Sequence, residues 1–259
     1  MTGNSVCAIS KSDRLLFEAL LVCRVVDRDQ AREITGRKEV SISTSNARLV
    51  KLVRAGFLKH FFIATEHGGV KALYSLTRRS AAFIYAPYRP IQRKADSVLI
   101  SDQFVQHQLA LNSVYVQVKF RPLPRQDTEF VRWIKFTGPL SEATPIIPDG
   151  YFELRTPIGI QPMFCEVDLG TEAQSIWTKK TQMYLTLAST GEFERLFQQK
   201  RFRVLVIAGS ERRLLQLRKT VALQTTKVFW FSTLNAINRD GLLAAHWLRP
   251  VGDDRLSLL

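Results

Sequence analysis

The first forty residues contain two segments in which apolar residues recur at helical spacing. One segment runs from Ser12 to Cys23, and Ser12 can cap its start. The other covers about 27–35, with Asp27 as a candidate N-cap and Gly36 as its end. The pattern therefore predicts two short helices.

A third helix is predicted to begin at Ser41 or Ser43 and to end at Gly56. Its predicted apolar face consists of Ala47, Leu49, Val50, Leu52 and Val53. Two strand-like stretches follow, and the glycine-rich turn His67-Gly68-Gly69 joins them. The sequence thus predicts three short helices and then a β-hairpin.

The stretch from Asn46 to Leu58 resembles the third helix of winged helix-turn-helix proteins and its turn into the wing. We therefore predict a winged-helix DNA-binding domain over residues 1–88. Arg48 can donate two hydrogen bonds to a guanine edge, while hydroxyls and lysines suit phosphate contacts. The candidate DNA-binding residues are Thr44, Ser45, Arg48, Lys51, Arg54, Lys59 and Lys71. The alternative is a module that binds proteins, because a fold does not fix a function.

A proline-rich stretch, Ala86-Pro87-Tyr88-Arg89-Pro90, breaks any helix that enters it. It predicts a domain boundary near 87–95. The next segment, 97–120, has the pattern of an amphipathic helix. Its predicted buried stripe consists of Val98, Phe104, Val105, Leu109, Leu111, Val114 and Val118.

The remainder of the chain, 95–259, alternates between strand-like and helix-like stretches. The predicted strands cover 130–136, 146–154, 162–169, 202–208 and 228–233, and the predicted helices cover 172–189, 210–222 and a short C-terminal segment. Such an order predicts an α/β domain in which helices cover a sheet.

Two acidic residues lie in an otherwise apolar predicted strand. Glu166 and Asp168 are two residues apart, so their side chains project to the same face of the strand. Asp149 joins them if its strand pairs with theirs. Three converging carboxylates suit Mg²⁺ or Mn²⁺, and such a cation can activate water at a phosphodiester. The alternative is neutralisation by nearby cations, namely Arg132, Arg155 or Lys180.

Composition narrows the choice of partner and location. The chain has 259 residues and a formal net charge of +14, which favours a polyanion such as DNA. It has no apolar stretch of membrane-helix length and no export or transit signal. Its three cysteines form neither a disulfide framework nor a zinc site, and phosphate-loop and dinucleotide motifs are absent. We expect a cytoplasmic protein that binds duplex DNA and no membrane.

The acids also lie in a familiar order. Pro148-Asp149, a gap and then Glu166-x-Asp168, followed by a long helix, resemble the PD-(D/E)xK nucleases. The resemblance implies a restriction-endonuclease-like fold and a metal ion held by Asp149, Glu166 and Asp168. Asp168 occupies the position of that motif's lysine, so Lys179 and Lys180 on the following helix are candidate replacements. These five residues form the candidate catalytic set of a metal-dependent endodeoxyribonuclease.

A narrower resemblance covers nearly the whole chain. HQLALNSVYV, then PDG, then EVDLGTE-x4-W-x2-K-x3-Y is similar to the plasmid replication-relaxation family. This resemblance implies a mobile-element DNA protein that cleaves or processes DNA in plasmid replication or mobilisation. The alternatives are a non-catalytic DNA-binding regulator with a degenerate nuclease fold and an unrelated α/β domain. A second copy of the chain and other mobile-element proteins are further candidate partners.

Overall fold

The chain is a mixed α/β protein with two compact units, Met1–Val116 and Gln117–Leu259. The computed structural model describes residues 7–37, 39–64, 68–89, 102–123 and 127–259. Most of the predicted linker, 87–95, therefore lies outside the described residues. Within the described ranges, no helix combines the length and hydropathy needed to cross a membrane.

The first unit contains three helices and then a β-hairpin, as the sequence predicts. Its elements are α1 (Lys11–Cys23), β1 (Val26–Asp27), α2 (Arg28–Ile34), α3 (Ile42–Arg54), β2 (Leu58–Ala64), β3 (Val70–Leu76), α4 (Arg78–Phe83) and most of α5 (Asp102–Phe120), which the unit boundary divides. The three strands form an antiparallel sheet in the order β1-β3-β2. Gly68 and Gly69 have positive φ at the hairpin turn, and His67 of the predicted turn lies outside the described residues.

Two details of these helices differ from the prediction. Ser10 rather than Ser12 caps α1, because Ser10 and Asp13 form a reciprocal capping box. The buried face of α3 is the narrow i, i+4, i+7 stripe that starts at Ser45, whereas Ala47 and Val50 are exposed. The apolar face predicted from the sequence is therefore offset, by part of a helical turn, from the face of α3 that is buried.

Helix α5 is buried on more sides than an amphipathic helix. Val105, Leu109, Val114 and the other described stripe residues are buried except Phe104, which is 55% exposed. The polar Asn112 is buried as well, and its amide donates to the carbonyls of Cys23 and Val25 at 3.1 and 2.6 Å. These hydrogen bonds offset the cost of burying a polar side chain. The predicted stripe residue Val98 lies outside the described residues.

The second unit is a five-stranded mixed sheet with helices against it. Its elements are β4 (Glu129–Ile134), β5 (Gly150–Thr156), β6 (Gly159–Asp168), α6 (Gln174–Ser189), α7 (Glu192–Phe197), β7 (Arg203–Ala208), α8 (Glu211–Ala222), β8 (Phe229–Thr233) and α9 (Leu234–Asp240). The strand order is β4-β5-β6-β7-β8; β4, β5 and β6 are antiparallel, and β6, β7 and β8 are parallel.

The core of this unit surrounds Phe164 in the central strand β6. Its ring lies 5.0–6.3 Å, centroid to centroid, from six other aromatic rings, namely Tyr151, Phe136, Tyr184, Phe193, Phe197 and Phe202. Strand β7 pairs with β6 as far as Asp168, whereas β5 pairs with it only as far as Cys165. The acids at this end of the strand, Glu166 and Asp168, are buried.

Candidate functional site

Glu166 is the most enclosed of the predicted acids. It lies on β6 and is 0% exposed. Its carboxylate accepts hydrogen bonds from Lys180 Nζ at 2.9 Å and from Tyr184 OH at 2.5 Å. Both partners project from α6, four residues apart, so they lie on the same side of that helix. A carboxylate without such partners would be strongly unfavourable in an apolar core.

Lys180, not Lys179, is the lysine that α6 brings to Glu166. The Lys180 ammonium also contacts Glu172 Oε1 at 2.8 Å and lies 5.2 Å from the centre of the Trp177 ring. Lys179, the neighbouring residue, is exposed. Of the two lysines predicted as replacements for the motif lysine, the structure thus selects one. Sequence reasoning did not identify Glu172, although it is part of the EVDLGTE stretch.

The pKa values of this pair follow from burial and charge. Burial raises the pKa of Glu166 to about 7, against the opposing effect of Lys180, and the charge of Asp149 adds to the rise. Burial lowers the pKa of Lys180, but the charges of Glu166 and Glu172 outweigh it and raise that pKa overall. Glu166 is therefore the member of the pair that titrates near neutral pH.

The raised pKa of Glu166 predicts a pH dependence of stability. The folded chain binds a proton at Glu166 more tightly than the unfolded chain, so this group's contribution to the free energy of unfolding falls as the pH rises from about 4.5 to about 7. We expect the stability of the wild type relative to Glu166→Gln to decrease across that window and to level off above it. Chemical denaturation of both proteins at several pH values measures the difference; a constant difference would contradict the raised pKa.

Asp168 does not face the same partners as Glu166. Its carboxylate forms a bidentate ion pair with Arg213 of α8, at 3.0 and 2.7 Å, and accepts from Trp177 Nε1 at 2.5 Å and from the Gly170 N–H at 2.7 Å. Burial raises the pKa of Asp168, but the bonds from Arg213 and Trp177 outweigh it and hold that pKa below its usual value. Asp168 thus joins three segments of the fold as a permanent anion.

Asp149 lies at the start of β5, as predicted, and it is the only one of the three acids that is partly exposed. Its Oδ2 accepts a hydrogen bond at 2.7 Å from the N–H of Val167, the residue between the two acids of β6. Asp149 is also close enough to raise the pKa of Glu166. The structure therefore brings Asp149 to Glu166, as pairing of their strands predicts.

The three acids do not converge on one point. Among the described residues, no group of three or more His, Cys, Asp or Glu side chains is arranged to hold a metal ion. Arg213, Trp177 and Gly170 occupy both oxygens of Asp168. Glu166 also accepts hydrogen bonds at both of its oxygens, from Tyr184 and Lys180, but it differs from Asp168 in lying near Asp149, whose charge raises its pKa. A magnesium ion commonly takes one or two protein carboxylates and keeps several waters. The donor chemistry fits a two-carboxylate site.

The candidate DNA-binding residues divide into two groups. Ser45 lies on the buried face of α3, and Lys71 pairs with Asp27 at 3.1 Å. Thr44, Lys51, Arg54 and Lys59 are exposed. In the described part of the chain, no carboxylate lies within ion-pair distance of Lys51, Arg54 or Lys59. The exposed cations of α3 and β2 are thus available to an external anion.

Arg48 is engaged within the first unit rather than directed outward as its predicted base contact requires. Its Nε donates to Asp13 Oδ1 at 3.0 Å, its Nη2 donates to Asp13 Oδ2, and the same nitrogen reaches the Ala8 carbonyl at 2.7 Å. Asp13 is 1% exposed. The Arg48–Asp13 pair connects α3 to α1, so Arg48 is a stabilising residue of this unit.

We expect Arg48→Ala to lower the free energy of unfolding by about 2–4 kcal/mol, because it removes the cation that contacts both oxygens of the buried Asp13 carboxylate and leaves only Arg37, at 3.9 Å. Arg54→Ala removes the same charge from an exposed position of the same helix and should leave the free energy of unfolding nearly unchanged. Urea denaturation of both variants measures the contrast. Equal stabilities of the two variants would contradict the structural role of Arg48.

Comparison with known proteins gives one match. The sequence profile of the replication-relaxation family matches residues 17–199, which include α3, the hairpin, Asp149 and the whole Glu166–Lys180 contact. Comparison with curated proteins gives no match, and comparison with solved structures gives none either. The matched residues cover well over half of the chain, and they agree with the order of motifs along it. The chain is therefore a member of the replication-relaxation family.

Proposed function

We propose that the chain binds duplex DNA through its first unit and cleaves DNA with a divalent cation at Asp149, Glu166 and Lys180. The observation that carries this proposal is the 2.9 Å contact of Lys180 Nζ with Glu166 Oε2. It supplies a lysine to an acid pair whose strand lacks one at the usual motif position. Ionisable groups with perturbed pKa values are concentrated at functional sites, and Glu166 and Lys180 both have them.

Each residue of the proposed site has a distinct task. Lys180 holds a positive charge next to the acids, and such a charge stabilises the developing negative charge of a phosphodiester under attack. Tyr184 donates to Glu166 Oε1 and fixes the orientation of that carboxylate. Asp168 acts as a positioning residue, because its bonds to Trp177 and Arg213 tie the end of β6 to α6 and α8.

Asp149 and Glu166 are the residues that would hold the cation, Mg²⁺ or Mn²⁺. A bound divalent cation supplies an activated water and neutralises charge on the phosphodiester. Asp149 is partly exposed and so is the acid that an incoming cation meets first. Asp168 is left out of this set, because four hydrogen bonds, two of them a bidentate ion pair with Arg213, tie it to α8, α6 and the Gly170 backbone.

For the first unit, we propose a winged helix in which α3 approaches DNA and the β2–β3 hairpin is the wing. Lys51 and Arg54 lie on the exposed side of α3, and Lys59 lies on β2. These cations favour the phosphate backbone, while Arg48 stays with Asp13. Affinity for duplex DNA is then expected to depend strongly on salt and weakly on sequence at these positions.

We expect Lys51→Ala, Arg54→Ala and Lys59→Ala each to weaken duplex binding evenly across sequences and to reduce the salt slope by about 1. Arg14→Ala is the matched control, because Arg14 is an exposed cation on α1 whose charge is already paired with Glu18 at 2.9 Å. Fluorescence anisotropy with a labelled duplex at several salt concentrations measures both quantities. If the three variants bind with unchanged affinity and salt slope, α3 and β2 do not contact DNA.

Membership of the replication-relaxation family supports a role for these activities in plasmid replication or mobilisation. A second candidate function is a DNA-binding accessory factor without cleavage. It is favoured by the complete burial of Glu166 and by the ion pair that occupies Asp168. Incubation of supercoiled plasmid with Mg²⁺ or Mn²⁺, beside an Asp149→Ala/Glu166→Ala double variant, separates the two functions. Metal-dependent cleavage that the double variant lacks supports the nuclease; binding without cleavage supports the accessory factor.

A further inference from the structure

A cavity lies at the opposite end of the sheet from Glu166 and Asp168. It has a volume of about 830 Å³ and opens at the amino ends of the parallel strands β6, β7 and β8. The side chains that give it a positive charge are Lys200, Arg201, Arg203 and Arg249. None of the described residues that line it is an Asp or a Glu. The cavity thus combines four cations with no acid.

Two of the cations are held in place by an indole ring. The guanidinium carbons of Arg203 and Arg249 lie 5.1 and 4.6 Å from the centre of the Trp230 ring. Arg203 also donates to the Leu258 carbonyl, and Arg249 Nη2 donates to the Thr226 carbonyl at 3.2 Å. Stacking and hydrogen bonds to carbonyls orient a guanidinium without neutralising it.

These two arginines have no acidic partner among the residues that the structure describes. No carboxylate of the described residues lies within ion-pair distance of Arg203 or Arg249. Burial lowers the pKa of Arg203, and burial together with the charge of Arg203 lowers the pKa of Arg249. Two cations held together in a partly buried place repel each other, and a bound anion would remove that repulsion. Guanidinium groups favour phosphate in particular, because they donate two parallel hydrogen bonds to it.

We infer that this cavity binds the phosphate groups of a short single-stranded DNA segment. The inference rests on the proposed function in taking DNA as the ligand. A duplex is a rod about 20 Å wide and cannot enter a cavity of ordinary small-ligand size, whereas a single strand can place individual nucleotides there. The lining also contains apolar and aromatic side chains beside the cations, including Ile160, Phe202 and Trp230. Such side chains suit contact with unpaired bases.

The test is a titration of the full chain with oligothymidylate while tryptophan fluorescence is recorded. Trp230 lines the cavity, whereas Trp177 and Trp247 are fully buried elsewhere and the partly exposed Trp133 lies on β4, outside the cavity lining. We expect a fluorescence change in the wild type that Trp230→Phe abolishes.

A second measurement, the anisotropy of a labelled oligonucleotide, does not depend on Trp230. It should show at least about a tenfold weaker affinity for Arg249→Gln, because this variant loses a charge-assisted phosphate contact. A Lys200→Gln/Arg201→Gln double variant, changed only at exposed positions, tests the same surface if Arg249→Gln does not fold.

The matched control is Lys219→Gln, an exposed cation of α8 outside the cavity lining, which should bind the oligonucleotide like the wild type. Three results would overturn the inference: no oligonucleotide binding, equal affinities of the cavity variants and the control, or the same fluorescence change with inorganic phosphate at equal concentration, which indicates an adventitious ion only. Retained duplex binding in those cases leaves the proposed function intact. Loss of duplex binding by Lys51→Ala with intact oligonucleotide binding indicates two separate sites.

Discussion

Asp168→Ala is expected to lower the free energy of unfolding by about 3–5 kcal/mol, because it removes one partner of a buried ion pair. The Arg213 guanidinium would then remain largely buried without its carboxylate, with a side chain that is only 11% exposed. Trp177 Nε1 and the Gly170 N–H would lose their acceptor at the same time. Unsatisfied buried donors add to the cost of the unpaired charge.

Chemical denaturation of Asp168→Ala, Arg213→Met and the Asp168→Ala/Arg213→Met double variant measures this coupling. The double variant should be more stable than the sum of the single changes predicts, because it buries no unpaired charge. Asp240→Ala is the control, since Asp240 forms an ion pair with Arg239 on the surface, and it should behave like the wild type. Additive single variants would show that Asp168 and Arg213 are not a coupled pair.

Most of the second unit was predictable because its strands are nearly continuous apolar runs. The alternation of side chains along a strand was enough to place Glu166 and Asp168 on one face of β6. Asp149 followed from the pairing of β5 with β6. Lys180 was a candidate together with Lys179, because the PD-(D/E)xK motif has a lysine where this chain has Asp168 and both lysines lie on the helix that follows β6. Each of these inferences joins residues that are close together in the sequence.

The partners of the acids were not predictable in the same way. Arg213 reaches Asp168 from a helix 45 residues away in sequence, and Arg48 reaches Asp13 across 35 residues. Arg48 was predicted to contact DNA, and Arg213 was not predicted as a partner of Asp168. Only the packing of distant elements decides whether such a charge faces solvent or a buried carboxylate. Sequence patterns locate charges along the chain, but tertiary packing selects their partners.

The separation of Asp168 from the other acids changes the composition of the proposed active site. Asp168 has a lowered pKa and four hydrogen-bond contacts, which suits a structural anion. Glu166 has a raised pKa and direct contact with Lys180. The proposed active site therefore consists of Asp149, Glu166 and Lys180. Loss of any one of them is expected to slow cleavage more than a substitution elsewhere that lowers the free energy of unfolding by the same amount.

Lys180→Ala is expected to lower the rate of DNA cleavage by about 10²–10³, the usual effect of removing a charge that stabilises a transition state. The first unit is unchanged by this substitution, so affinity for duplex DNA should stay at the wild-type value. Lys179→Ala is the matched control, because it removes the adjacent, exposed lysine of the same helix. It should cleave DNA at nearly the wild-type rate.

The most direct test of the cleavage proposal is the rate at which supercoiled plasmid is converted to nicked or linear DNA in Mg²⁺ or Mn²⁺. The wild type, Lys179→Ala and Lys180→Ala are compared at equal, saturating protein concentration, with duplex affinity and melting temperature measured for each. The proposal predicts metal-dependent conversion by the wild type and by Lys179→Ala, and a rate lower by about 10²–10³ for a folded, DNA-binding Lys180→Ala. A folded wild type that binds duplex DNA but converts no plasmid with either metal, or a Lys180→Ala variant that cleaves as fast as the wild type, would contradict it.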